Sequence, residues 1–379
     1  MTTFITLFSI FVLALLIGLV TTPYIVRLAK EMHLYDLPDS RKVHTLPIPR
    51  LGGITFLPAA TIAVSAAVVL AVRQGSYMAG GISDGDVQHV LAFLCGAMML
   101  YVIGFYDDVH GVSYRVKFFV QILAASALCI SGLWVANFGH VFWIDSVAWW
   151  FGMPFTMLCV VYVTNAMNLI DGLDGLASGL SAISFAVIAT LNTINGDIFW
   201  AMIAIAFLGV MLAFFYYNVF NRKYKIFMGD TGSLTIGFTI SFLILHFWQD
   251  TPIWNHNMHS IGIVALSTIV IPMFDVVRVF ASRIRDHRNP FLPDKNHIHH
   301  KLLRTGMSPH WVMVTILLMS LAIIAVNYLV NTLISQTLMV VADVCIFVLM
   351  HVVINIFIHR RETLTGEQHL RWYEEKTEN

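Results

Sequence analysis

Residues 165–179 read Asn165-Ala-Met-Asn168-Leu-Ile-Asp171-Gly172-Leu-Asp174-Gly175-Leu-Ala-Ser-Gly179, and they join two apolar runs, Met153 to Val163 and Leu180 to Leu191. Asn165, Asn168 and Asp171 recur at i, i+3, which would bring them onto one face of a helix. Each Asp is followed by a glycine, a place where the backbone can turn or approach a ligand closely. Polar groups at a membrane edge are costly and face a polar cavity. A tight hydrophilic turn between two spans is the plain structural reading of the same residues.

The rest of the chain supports a membrane setting. Hydrophobic residues make up 58% and charged residues 12% of the 379, about half the charge of a soluble domain. Eleven apolar segments are long enough to span: about 3–26, 51–72, 89–106, 117–136, 149–168, 176–194, 198–219, 233–249, 260–281, 310–331 and 335–358. The fold class expected is all-α and polytopic. Residues 1–358 form one transmembrane domain, and 359–379 form a charged tail. The first segment has no basic leader before it and reads as a retained span. Cys95, Cys129, Cys159 and Cys345 lie singly in apolar stretches, so free buried thiols are expected.

Charge fixes an orientation. Net charge is zero, yet with eleven spans all but one of the 22 Lys and Arg residues fall on one side, Arg73 being the exception. The positive-inside rule then puts the N-terminus outside and the C-terminus in the cytoplasm. Every dense polar motif lies on the same cytoplasmic side. A carrier would instead concentrate such groups mid-span. Only Asp343 falls in an apolar span, as a proton relay or as a helix–helix contact.

Four further motifs carry chemistry. The loop Arg41 to Gly53 is basic, is held extended by Pro47 and Pro49, and ends Arg50-Leu-Gly-Gly. It could meet phosphate or headgroups, or merely mark topology. Asp107-Asp108 is a pair of adjacent carboxylates that needs a cation or proton to offset repulsion. Lys117 stands ten residues on. Phe227-Met-Gly-Asp230-Thr-Gly-Ser follows Arg222, Lys223 and Lys225. Asp230 suits Mg2+, which takes one or two protein oxygens and completes its shell with phosphate and water. Asn168 offers a second oxygen, and helix capping is the alternative use. His297, His299 and His300 could ligate zinc. Their basic surroundings fit a phosphate cradle better. Physical reasoning alone reaches a membrane transferase of phosphate-linked groups.

Taken in order, Asp-Asp, Asn-x-x-Asn-x-x-Asp-Gly-x-Asp-Gly, Phe-Met-Gly-Asp-x-Gly and His-x-His-His resemble the polyprenyl-phosphate N-acetylhexosamine-1-phosphate transferases (glycosyltransferase family 4, MraY/WecA-like). The match runs from Arg41 to Gly306. The resemblance implies transfer of a sugar-1-phosphate from a UDP-N-acetylhexosamine to polyprenyl phosphate, with release of UMP and a need for Mg2+, or Mn2+ in its place. By motif, Asn168 and Asp230 would hold the metal. Asp107 would orient or deprotonate the lipid phosphate with Asp108 supporting it, and Lys117 would neutralise charge. Asp171, Asp174 and Asn165 would serve the donor, and Phe227 would stack near uracil. Arg50, His297, His299 and His300 would hold phosphates and sugar.

His-Ile-His-His and Pro272-x-x-Asp275 resemble the branch that uses UDP-N-acetylglucosamine. That branch starts O-antigen, common-antigen or teichoic-acid-like polymers at the cytoplasmic face of the bacterial inner membrane. His110-Gly111 departs from the peptidoglycan branch, which uses a muramoyl-pentapeptide donor. That branch and a lipid-linked sugar transporter are the alternatives. No nucleic-acid partner is expected, and a homodimer is compatible with the family. Direct attack by the lipid phosphate and a route through an aspartyl-phosphate remain open.

Overall fold

A computed structural model describes residues 2–36, 47–73, 83–250, 261–287, 289 and 296–365. Thirteen helices run α1 (Thr2–Glu31), α2 (Phe56–Arg73), α3 (Asp84–His110), α4 (Tyr114–Ile130), α5 (Trp149–Ile170), α6 (Leu176–Asn195), α7 (Ile198–Phe215), α8 (Gly229–Asp250), α9 (Ile261–Ser267), α10 (Val270–Arg285), α11 (Ile298–Arg304), α12 (Pro309–Val330) and α13 (Gln336–Thr365). Two small antiparallel hairpins interrupt them, β1 (Tyr35–Asp36) with β2 (Ile48–Pro49) and β3 (Asn137–Val141) with β4 (Ile144–Ser146).

Among the described residues, nine helices are long and apolar enough to cross a membrane, or ten if α9 and α10 count as one bent span. The protein is therefore all-α and polytopic, as its composition requires. Two of the eleven expected segments differ in kind. The segment expected at 117–136 is α4, only 17 residues long, or about 26 Å against a hydrocarbon core of about 30 Å. The segment expected at 260–281 is broken by a 63° bend between α9 and α10.

Helix α8 is the axis of the bundle. Phe238, Ile240 and Phe242 are fully buried on it, and α3 and α5 pack along its length. The approach of α3 is close at Gly104, where a Cβ would lie 2.6 Å from the Thr231 backbone. Only glycine allows that approach, and it brings the end of α3 against the start of α8. Asp343 resolves as a helix–helix contact, accepting from Asn327 Nδ2 at 2.7 Å. All four cysteines are free, but only Cys129 is buried; Cys95 and Cys345 are exposed on the outside of their helices, contrary to expectation. Residues 359–365, the start of the expected charged tail, continue α13; the remainder of the expected tail, and Arg41 to Leu46 of the first basic loop, lie outside the described residues.

Candidate active site

The polar residues gather where α3, α4, α5 and α8 meet. Lys117, in the first turn of α4, stands between two carboxylates. Its Nζ donates to Asp230 Oδ2 at 2.7 Å and to Asp107 Oδ2 at 3.2 Å. The other Asp107 oxygen accepts from the Val112 N–H at 2.6 Å, which ties it to the α3–α4 turn. Asp230 Oδ1 accepts from Asn168 Nδ2 at 3.1 Å, and the same amide nitrogen donates to Ser233 Oγ at 2.8 Å. One ammonium against two carboxylates leaves this cluster net negative, an electrostatic setting that attracts a cation.

Asp108 serves differently from its neighbour. It is 2% exposed, and its oxygens accept from the Asp230 N–H at 2.8 Å and the Thr231 N–H at 3.0 Å. It also takes the Thr231 hydroxyl at 2.6 Å. These are the orphan donors of the first turn of α8, capped here by a side chain from another helix. Gly229 makes room for it at φ 72, where a Cβ would stand 2.6 Å from the carboxylate. The expectation of a catalytic Asp108 is thus met by a carboxylate whose oxygens are engaged, and its effect is to fix where Asp230 stands.

A cavity of about 680 Å3 opens beside this cluster. Its lining includes the polar Asp108, Asn168, Asp171, Asp174 and Asp230, the basic Lys30, Arg50, Arg222 and Lys225, and His300 and Phe227. The Arg50 segment is zipped to the Phe227 segment, Phe227 N–H donating to Pro49 C=O at 2.8 Å and Gly52 N–H to Phe227 C=O at 2.9 Å. The glycine pair that ends the first basic loop does approach another element, the start of α8 at Gly232. Asp174 pairs with Lys225 at 2.5 Å. Burial, and then the nearby carboxylates Asp230 and Asp174, hold the Asp171 carboxyl well above the usual range.

Three expected donor-binding residues lie off this cavity. Asn165 is bonded to Gln121 of α4 and to the Val161 C=O, at 2.6 and 2.7 Å, and serves as a clamp between α4 and α5. His297 is buried, and its Nδ1 meets Asp275 at 2.8 Å. His299 is also buried, its ring against Gly172 and both nitrogens without a hydrogen-bond partner among the described residues. Burial and the adjacent His300 and His297 push its pKa well below the usual value, so the ring is neutral. Only His300 of the three lines the cavity.

Sequence reading passed over three residues. Asp275, noted only as part of a motif, is fully buried and accepts from the Ile298 N–H at 2.9 Å and from Arg278 at 2.8 Å, besides meeting His297. Asn218 sits in a π-helical turn (Tyr216–Phe220). It accepts from the Gly175 N–H at 2.6 Å and donates to the Ile226 C=O at 2.9 Å, joining the Asp174 turn to the segment that follows Lys225. A π turn next to a cavity was the sign of function, invisible in an aromatic span end. Lys225 counted only as a topology charge.

Among the described residues, no trio of His, Cys, Asp or Glu is disposed to hold a metal ion, which removes the zinc reading of the His run. The oxygens that could reach a hard cation belong to Asp230, to Asp107 across Lys117 and, once its amide turns, to Asn168, which here presents Nδ2 to Asp230. Substrate phosphates would complete such a shell.

The family model for glycosyl transferase family 4 matches residues 90–247. The chain is 31% identical over 300 residues to the probable undecaprenyl-phosphate N-acetylglucosaminyl 1-phosphate transferase of Bacillus subtilis (strain 168), covering 79% of this chain and 77% of that one. It is 31% identical over 309 residues to the undecaprenyl-phosphate alpha-N-acetylglucosaminyl 1-phosphate transferase of Escherichia coli (strain K12), covering 80% and 78%. The relative of that name in Salmonella typhi is 32% identical over 298 residues, covering 77% and 75%. The chain belongs to glycosyl transferase family 4. The matched stretch of this family 4 protein holds Asp107, Asp108, Lys117, Asn168, Asp171, Asp174, Phe227 and Asp230. Arg50 and the His run lie outside it.

Proposed function

We propose that this family 4 protein transfers N-acetylglucosamine-1-phosphate from UDP-N-acetylglucosamine to undecaprenyl phosphate. The observation that carries this reading, beside the family, is Lys117 bridging Asp107 and Asp230 next to a cavity lined by both carboxylates and cations. In the reaction an oxygen of the lipid phosphate bonds to the sugar-bearing phosphorus. The bond from that phosphorus to the bridging oxygen breaks, and its electron pair leaves on that oxygen as part of UMP. Two anions must meet for this, so catalysis consists mainly of positioning and charge stabilisation.

Asp107, fixed by Val112 and Lys117, is the group we assign to orient the acceptor phosphate and to take its proton if it arrives protonated. Lys117 keeps both carboxylates in register and offsets their charge. Asp230 and Asn168 would hold Mg2+, or Mn2+ in its place. When bound, the ion would neutralise the diphosphate as charge shifts to the leaving UMP. Arg50, His300 and the other cations of the lining suit the donor phosphates, Phe227 suits the uracil ring, and Asp174 with Lys225 suits the nucleoside side, with Asp171 lining the same cavity. The basic loops support a cytoplasm-facing site in the bacterial inner membrane, with the N-terminus outside and the C-terminus inside. Residues 1–358 make one catalytic domain, and the product primes an envelope polysaccharide.

Purified protein with undecaprenyl phosphate and UDP-N-acetylglucosamine should release UMP, and excess chelator should stop it until Mg2+ is restored. No UMP from this donor with turnover of another UDP-N-acetylsugar would move the assignment within the family. Full activity in chelator would remove the metal from it.

A further inference from the structure

The hairpin of β3 and β4 carries a turn that its residues do not favour. Val141 pairs with Ile144, so Phe142 and Trp143 form a two-residue loop, and both have positive φ, 52 and 61. A loop with both central residues left-handed is the home of Asn-Gly, Asp-Gly and Gly-Gly. An ordinary L-residue there loses about 1 kcal/mol or more. Two of the largest side chains occupy the positions where small ones are expected, and the packing of the tip does not explain them. Phe142 is 50% and Trp143 78% exposed. Departures of this kind mark function.

The hairpin is held at both its tip and its base. The Phe142 N–H donates to Thr337 Oγ1 at 2.8 Å at the start of α13. Trp248 Nε1 of α8 donates to the Asn137 C=O at 2.9 Å. Its place along the bundle follows from the chain. The hairpin lies between the far end of α4 and the first turn of α5, and Trp149 there is 19 residues before the site residue Asn168, about 28 Å along the helix. It therefore sits at the membrane boundary opposite the carboxylate site. Trp149, Trp150 and Phe151 are exposed at the start of α5, and Leu338 and Val341 are exposed on α13 just beyond Thr337. The exposed pair His140–Asp145 provides a polar rim, at 2.9 Å.

We propose that the Phe142–Trp143 tip is a lipid-binding anchor, seated in the headgroup and upper acyl region of the leaflet opposite the active site. The tip's bond to the start of the spanning helix α13, where Leu338 and Val341 are exposed, selects lipid as the occupant. Aromatic rings with an apolar body gain most at that level. Insertion offsets the backbone strain, and an Asn-Gly turn would form the same loop without the anchor.

The test places an environment-sensitive fluorophore at Trp143→Cys, in a background with Cys95 and Cys345, the exposed thiols, changed to serine. The protein is reconstituted whole in lipid discs. The label should be quenched about two-fold or more strongly by lipids carrying a nitroxide near the headgroup than by ones carrying it near the chain end, consistent with a depth of about 5–10 Å. Aqueous iodide should reach it weakly. A label at Asp145→Cys should show the reverse pattern. Strong iodide quenching at position 143 would overturn the proposal. Protection from both quenchers would also overturn it, in favour of cover by protein, whether a second copy or another chain. Equal lipid quenching at 143 and 145 would overturn the assignment to the tip. If Trp143→Cys does not fold, Phe142→Cys gives the same readout.

Discussion

At the scale of single residues, two adjacent carboxylates have separate work. Asp230→Asn keeps the side-chain shape and the Asp108 bonds to the backbone of α8. It should reduce UMP release by about 100-fold or more, with thermal unfolding close to that of the parent. Asp108→Asn replaces one acceptor with a donor facing N–H groups, which costs about 1–3 kcal/mol. It should therefore lower Tm by several degrees as well as activity. Equal Tm values for the two variants would contradict the capping role of Asp108. Asp171 makes a second case. Its carboxyl is held above the ordinary range by burial and nearby carboxylates, so the folded protein binds that proton more tightly than the unfolded chain. Stability contributed by this group is then present below about pH 4 and is lost as pH rises from there through the raised folded value. Asp171→Asn should unfold at a higher temperature than the parent at pH 7, and the gap should close on acidification towards pH 4. A gap that stays constant with pH would show that Asp171 is not held protonated.

Among the elements, α11 is the one whose placement matters most, because it carries His300 to the cavity and is only seven residues long. A helix so short does not hold itself. Asp275 ties its start to α10. Its end is tied to α13, where Arg304 meets Glu362 at 2.8 Å and Arg361 donates to the Arg304 C=O at 3.0 Å. Reversing either charge alone, Arg304→Glu or Glu362→Arg, should raise KM for the UDP-sugar about five-fold with little change in kcat. The double swap should recover most of the loss, which a general loss of folding would not show. Unchanged kinetics in both single variants, or no recovery in the swap, would leave α11 positioned by Asp275 alone. The hairpin and α4 teach the complementary lesson about elements. Periodicity and apolar content found α4 but overstated its length, because the apolar run continues past the helix end at Ile130 into the turn before β3.

For the molecule as a whole, orientation is the open physical quantity, and the charge map supplies the prediction. In intact membranes, a cysteine introduced at Lys223 should react with an impermeant reagent only after the cytoplasmic face is opened. One at Asp145 should react from outside. Labelling at Lys223 from outside would reverse the topology and move the site to the other face. The sequence by itself determined that the chain crosses a membrane many times, where its apolar runs lie, and which polar motifs stand at their ends. It could do so because a bilayer demands about 20 apolar residues per crossing and internally satisfied backbone, constraints written locally. The tertiary structure alone decided which of those motifs meet. Lys117 and Asp230 are 113 residues apart and Asp275 and His297 are 22 apart, and helix rotation and crossing bring them together. In a helix apolar on every side, the lipid-facing and protein-facing stripes look alike, so no periodicity could have told that Asn165 would clamp α4 while Asn168, one turn on, would face Asp230.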